Sequence, residues 1–97
     1  MSYSIIIKPA TGKKSLAECS QESYAELPRI LTEVEAIDLR CFADKSGIGK
    51  IELPNTIKSI YMSAFRNSDV VVDDFANVHY IGGYAFENCK LDKVNFR

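Results

Sequence analysis

Tryptophan is absent from this 97-residue chain, histidine occurs once at His79, and cysteine three times, at Cys19, Cys41 and Cys89. One histidine and three scattered thiols leave no metal-ligand spacing, and an odd number of cysteines is a poor basis for a disulfide framework. Reduced thiols in the cytoplasm are the expectation. Charge of one sign is lacking too. Twelve basic residues face thirteen acidic ones, and a nucleic-acid footprint needs a clustered positive excess. The balance holds locally: residues 1–33 carry four of each sign, and 34–97 carry eight basic and nine acidic residues. Neither a polybasic membrane patch nor an acidic nucleic-acid mimic is expected. Long apolar runs are missing. The amino terminus has three consecutive isoleucines without a basic start, unlike a secretory signal, and nothing approaches transmembrane length.

What is present is a composition that can fold. Apolar residues make up 46% of the chain and aromatic ones 10%, which argues against disorder. Ninety-seven residues suit a single domain over 1–97, burying roughly 60–68% of the unfolded surface.

The strongest signal is a repeat. Val34-Glu-Ala-Ile37-Asp-Leu-Arg-Cys41-Phe42 is followed by Ile57-Lys-Ser-Ile60-Tyr-Met-Ser-Ala64-Phe65 and by Val78-His-Tyr-Ile81-Gly-Gly-Tyr-Ala85-Phe86. The aligned isoleucines lie 23 and then 21 residues apart, and so do the phenylalanines. A period in the twenties predicts a solenoid, in which each repeat stacks on the last. Small residues at Cys41, Ala64 and Ala85 would let successive repeats approach, and Phe42, Phe65 and Phe86 would form an internal aromatic ladder. Gly82-Gly83 would supply a positive-φ turn.

A second strand per repeat is expected where Ile51/Leu53 and Val94/Phe96 alternate with polar residues. The middle copy, Val70-Val-Val-Asp-Asp-Phe75, breaks that register. Strict spacing would bury Asp73, so a bulge or a one-residue shift is expected there.

These residues resemble the BspA-type (treponemal) leucine-rich repeat, whose pattern is a Leu-x-x-Ile-x-Leu-Pro strand followed by Ile-x-x-Ile-Gly-x-x-Ala-Phe-x-x-Cys. Val78-His-Tyr-Ile81-Gly82-Gly-Tyr-Ala85-Phe86-Glu-Asn-Cys89 departs from it very little. Ile51-Glu-Leu53-Pro54-Asn-Thr-Ile57-Lys-Ser-Ile60 also fits, with Tyr61 in place of the glycine. The first copy has Asp38, Cys41 and Lys45 at the glycine, alanine and cysteine positions. The resemblance covers residues 34–97. It implies an α+β fold, a leucine-rich-repeat solenoid of about three repeats, and an interaction module with no catalytic residue, cofactor or metal.

Residues 1–33 read as a strand–helix cap. Tyr3 to Lys8 predicts a strand stopped by Pro9, and Thr11-Gly12 a turn. Ser15-Leu-Ala-Glu18 has capping-box spacing, which predicts a helix over about 16–26 closed by Leu27-Pro28. Leu16, Cys19, Tyr24 and Leu27 would form its apolar stripe.

Chemistry finds little purchase. Lys8-Pro-Ala-Thr-Gly12-Lys13-Lys14-Ser15 is placed like a phosphate-binding loop, yet Lys8 stands at the first glycine position and Lys14 where serine or threonine should follow the lysine. Cys41 or Cys89 with His79 would be the pair for a thiol enzyme, but the repeat register turns His79 to solvent. Outward strand positions are better candidates for contacting another protein. They are Lys50, Glu52, Lys93, Asn95 and Arg97, joined by acidic residues from Asp69 to Asp74, Asp73 and Asp74 among them. Tyr61 and Tyr84, with Tyr80, are candidate aromatic anchors. Phe96, with Phe86 and Leu91, would leave the last repeat open at one end and permit a homodimer there.

Small size and the absence of attached domains suit a dedicated single-target binder, such as a phage-encoded antagonist of a defence or host enzyme. The alternatives are the Cys/His enzyme and a structural cap of a larger assembly.

Overall fold

The β-branched run at the amino end forms β1 (Tyr3–Ile7) in the computed structural model, which describes residues 3–9, 11–72, 75 and 77–89. The Lys8 carbonyl accepts from the amides of Thr11 and Gly12 and closes the expected turn. Beyond this turn the chain forms a second strand rather than a helix. β2 (Lys14–Cys19) returns antiparallel to β1, with a register shift between Ser4 and Ile5. A 3₁₀ turn over Gln21–Glu26 and α1 (Leu27–Leu31) come next. The capping-box serine is therefore a strand residue, Ser20 stands at the N-cap of the 3₁₀ turn, and Pro28 sits in the first turn of α1 instead of ending a helix.

The reason is tertiary. β2 is paired on both sides, with β1 and with β3 (Ala36–Ile37), and those bonds outweigh the weak helical preference of Lys-Ser-Leu-Ala-Glu-Cys. Proline is tolerated at a helix start because its missing N–H has no partner there anyway. Leu16, Cys19 and Leu27 are buried as expected and Tyr24 is half-buried, so the apolar positions hold while the helical periodicity does not.

Among the described residues the first two repeats then contribute two short strands each, and the third contributes one. β3, β5 (Ser59–Ile60) and β7 (Tyr80–Ile81) pair parallel in a five-stranded sheet of order β1-β2-β3-β5-β7. β4 (Lys50–Ile51) and β6 (Val71–Val72) pair parallel in a second, two-stranded sheet. In the first sheet Leu16, Ile37, Ile60 and Ile81 are in register. In the second, Ile51 stands opposite Val72, both buried, and Lys50 opposite Val71. Val72 thus takes the inward slot that strict spacing would have given Asp73, which is the one-residue shift expected there.

Between the sheets the chain turns through 38–45, 61–68 and 82–89, and these turns stack. Arg40, Phe42 and Asp44 donate their amides to the carbonyls of Met62, Ala64 and Arg66. Ser63, Phe65 and Asn67 repeat this to Gly83, Ala85 and Glu87, at 2.8–3.1 Å. The alternate amides, such as those of Cys41, Ala43 and Lys45, bond back three residues within their own turn. Left-handed backbone recurs with the same interval: Arg40, Ser63 and Tyr84 at φ 57, 58 and 60°, then Asp44, Asn67 and Asn88 at 59, 57 and 59°. Asparagine and aspartate tolerate that region. Their side chains also form a ladder, Asn88 Nδ2 to Asn67 Oδ1 at 2.7 Å and Asn67 Nδ2 to Asp44 Oδ1 at 2.8 Å.

Gly82-Gly83 does not make the positive-φ turn; Tyr84 does. Gly82 is required for close approach instead, because a Cβ there would stand 2.6 Å from the Met62 amide nitrogen.

The core runs through these layers. Phe42 and Phe65 stack at 5.1 Å and 5°, Phe65 and Phe86 at 5.2 Å and 8°. Tyr24 covers the first ring at 6.1 Å, and Phe75 meets the edge of the last. Phe42, Phe65 and Phe75 are fully buried, each contributing about 1.5–3 kcal/mol of transfer free energy.

Candidate protein-binding surfaces

The residues singled out for contact fall on two separate sheets. On β4, Lys50 is exposed, Ile51 is inward, and Glu52 follows exposed, so the alternation expected of a half-buried strand holds. Lys50 and Glu52 flank a groove of about 380 Å³ whose walls include Tyr24, Leu27, Pro28, Leu31 and Ile48. The acidic run is not a uniform recognition charge. Asp69 is structural: its carboxylate accepts from the amides of Gly47 (2.8 Å), Ile48 (3.0 Å) and Gly49 (3.3 Å). These bonds, the one from Gly47 foremost, hold its pKa below the ordinary carboxylate value. Three successive amides can converge because Gly47 and Gly49 adopt positive φ. Asp73, Asp74, Lys93, Asn95, Phe96 and Arg97 lie outside the described residues.

The tyrosines gather beside the five-stranded sheet. Tyr61 follows β5 and Tyr80 opens β7, and their rings meet at 5.8 Å and 52°. Gly82 holds the repeat position that Tyr61 holds one coil earlier. The Lys8 ammonium, reaching from the hairpin, lies 4.8 Å from the Tyr61 ring centre and 3.1 Å from Asp38 Oδ1. Tyr61 is thereby half-buried and braced, whereas Tyr80 and Tyr84 are 53% and 66% exposed. Leu39 (52%) and Met62 (53%) occupy one repeat position, two residues beyond the inward isoleucines, and extend the apolar surface along the turn. Leu39 and Met62 were not singled out from the sequence. Their shared place in the repeat was the available signal, since an apolar residue recurring at an outward position has no core to explain it.

The thiols do not make a reactive centre with this geometry. Cys41 is 3% exposed, and burial pushes its thiol well up, which leaves almost no thiolate at neutral pH. Burial raises Cys19 as well. Cys89 donates to the Phe65 carbonyl at 2.8 Å and lies 3.8 Å from Ser68 Oγ, so it fills a position in the stack. His79 is exposed, with its amide bonded to the Lys58 carbonyl. Among the described residues no helix is long and apolar enough to cross a membrane, and no group of three histidine, cysteine or acidic side chains could hold a metal ion.

A family model described as BspA type leucine rich repeat region matches residues 11–97 in six copies. The chain belongs to that family, and leucine-rich repeats are generally non-catalytic modules that bind other proteins. The match begins well before Val34, where the sequence repeat first becomes legible. The structure explains why: β2 stands beside β3 in the same parallel register as β3 beside β5, with Ser15 opposite Ala36 and Ala36 opposite Ser59. No curated protein and no solved structure matches the chain.

Proposed function

We propose that this member of the BspA-type leucine-rich-repeat family is a non-catalytic protein-binding module, a short solenoid of about three coils with residues 1–33 closing its first end. The face that binds carries Tyr80, Tyr84 and Met62, with Tyr61 and Leu39 beside them. One observation carries this reading: Leu39, Met62, Tyr80 and Tyr84 are exposed on or just after β3, β5 and β7 of one sheet, with Tyr84 66% and Tyr80 53% exposed. The other exposed large apolar side chains, Ile6, Ile7 and Val71, stand on β1 and β6. Tyrosine and methionine supply adaptable contact area of the kind protein interfaces favour. Lys50 and Glu52 form a second, polar-rimmed contact above the α1 groove.

A single-target inhibitor, such as a phage-encoded antagonist of a host or defence enzyme, is the role that a small binder of this kind suits. A reducing compartment such as the cytoplasm agrees with three free thiols. The last coil is a further place of association, for a second copy or for another protein.

Affinity capture with the tagged chain, read by mass spectrometry, tests the main claim. A partner held by the wild type and lost by a still-folded Tyr80→Ser/Tyr84→Asn variant supports the tyrosine face. A partner retained by the double variant contradicts it.

A further inference from the structure

The hairpin that covers the first coil has an outer edge of its own. β1 stands last in the five-stranded sheet and pairs with β2 alone among the described residues. The register decides which of its backbone groups face away. The Lys8 amide donates to the Lys13 carbonyl, and Ile7, Ile6 and Ile5 stand opposite Lys14, Ser15 and Leu16. Antiparallel pairs alternate between bonded and unbonded, so Ile6 bonds to Ser15 while Ile5 and Ile7 turn their N–H and C=O off the sheet. The carbonyls of Lys14 and Leu16 agree, since they accept from Glu35 and Asp38 on the β3 side. Strand edges are ordinarily guarded by a charge, a proline or a bulge. β1 has none of these. Tyr3 to Ile7 includes no charged residue and no proline, and the register shift puts its extra residue, Ala17, on β2. The ammonium of the neighbouring Lys8 is drawn away to Asp38 and the Tyr61 ring. Ile6 and Ile7 are left 40% and 62% exposed.

We infer that this edge pairs with the same edge of a second copy, antiparallel, about a two-fold axis at Ile6. The edge is self-complementary, as a two-fold interface requires. Ile5 of each copy meets Ile7 of the other, and each donates its amide to the other's carbonyl. Both outward donors and both outward acceptors of each chain are thereby used. Ile6 faces Ile6 of the second copy in an unbonded pair, the closer kind, with Cα atoms about 4.5 Å apart. Ser4 lands opposite Lys8 of the second copy, so like charges do not meet across the join. One short strand pair buries less than ~1,200 Å², the range of weak and transient interfaces. The dimer therefore forms at high local concentration. β7 lies at the other edge of the sheet, so the join leaves Tyr80 and Tyr84 free and gives a module with two tyrosine faces. A partner that is itself repeated would gain avidity from the pair. The inference does not rest on the binding-module reading.

Cysteine cross-linking of the full chain tests the register, in a Cys89→Ser background because Cys19 and Cys41 are buried. Under oxidised glutathione, Ile6→Cys should form a disulfide-linked dimer at least ~10-fold faster than Ser4→Cys. Across the inferred join the substituted positions of Ile6→Cys stand within disulfide reach, whereas those of Ser4→Cys lie ~13 Å apart. Equal rates, or faster linkage through position 4, would overturn the inference. Sedimentation velocity of the wild type from ~10 µM to ~1 mM should show a reversible dimer. Ile6→Lys sets like charges opposite each other and should raise its dissociation constant at least ~10-fold. A wild type that stays monomeric, or a dimer that Ile6→Lys leaves unchanged, would also overturn it. Circular dichroism checks that the variants are folded, and Ile6→Thr, which keeps a β-branched strand residue, takes the place of a misfolded Ile6→Lys with the same expected direction. None of these outcomes depends on the tyrosine side chains, so the tyrosine-face proposal stands or falls separately.

Discussion

The rings of Phe42 and Phe65 lie 5.1 Å apart and within 5° of parallel, one repeat from the next. This contact ties the sequence period to the stability of the fold. Phe65 has a ring on each face, Phe42 on one side and Phe86 on the other. Phe65→Ala should cost about 3–5 kcal/mol, and Phe86→Ala less, since Phe86 is already partly exposed. Urea denaturation of the two variants checks the order; equal losses would mean that the stack is not a continuous core.

Gly82 and Gly83 should respond oppositely to the same change. A Cβ on Gly82 meets backbone atoms, Met62 N at 2.6 Å and Tyr61 C at 2.9 Å, whereas nothing lies within 4 Å of one on Gly83. Gly82→Ala should destabilise by about 1–3 kcal/mol, and Gly83→Ala should stay within ~0.5 kcal/mol of wild type. Thermal unfolding of both separates close approach from turn flexibility as the reason for the glycine pair.

The Asp69 carboxylate gives the fold a pH dependence of definite sign. Its folded pKa is lowered from 3.8 by the amides of Gly47, Gly49 and Ile48. The stabilisation is therefore present above the unfolded value and is lost as pH falls through the folded one. Because Asp69 is exposed, its contribution is screened, about 1 kcal/mol at neutral pH. The stability difference between wild type and Asp69→Ala, measured by urea denaturation from pH 7 to pH 2, should shrink as the carboxylate protonates. A gap that stayed constant would remove the carboxylate from this role.

Lys8 fastens the hairpin to the repeats. Its ammonium is shared between Asp38, whose side chain is 11% exposed, and the Tyr61 ring. Lys8→Met should cost about 2–3 kcal/mol by leaving a mostly buried carboxylate unpaired. Adding Asp38→Asn should recover part of that loss. A double-mutant cycle with no coupling would show that the pair is incidental.

Much of this was legible in the sequence, for physical reasons. The period of 23 and 21 residues places Phe42, Phe65 and Phe86 in one column, since stacking repeats demand identical inward residues. The outward alternation at Lys50 and Glu52 followed from strand geometry. The second hairpin strand was not legible. Lys14–Cys19 has no strong local preference, and its conformation is decided by pairing with β1 and β3, which lie up to some twenty residues away in sequence. The role of Asp69 was hidden for the same reason: its partners Gly47 to Gly49 belong to the preceding repeat. Tyr84 was chosen for its chemistry. Nothing in the sequence showed that it sits at φ 60°, where a bulky side chain is strained.

That strain gives the most direct test of the central claim, that an exposed aromatic face binds another protein. Asparagine holds left-handed backbone four residues further along the turn, in Asn67 and Asn88, so Tyr84→Asn should relieve the backbone and raise stability by about 0.5–1 kcal/mol. The measurement is paired: urea denaturation of Tyr84→Asn, and titration of the captured partner against the same variant. The account predicts a more stable protein that binds its partner at least ~10-fold more weakly, as loss of a hot-spot tyrosine should. A variant that is more stable and binds as tightly as wild type would contradict it.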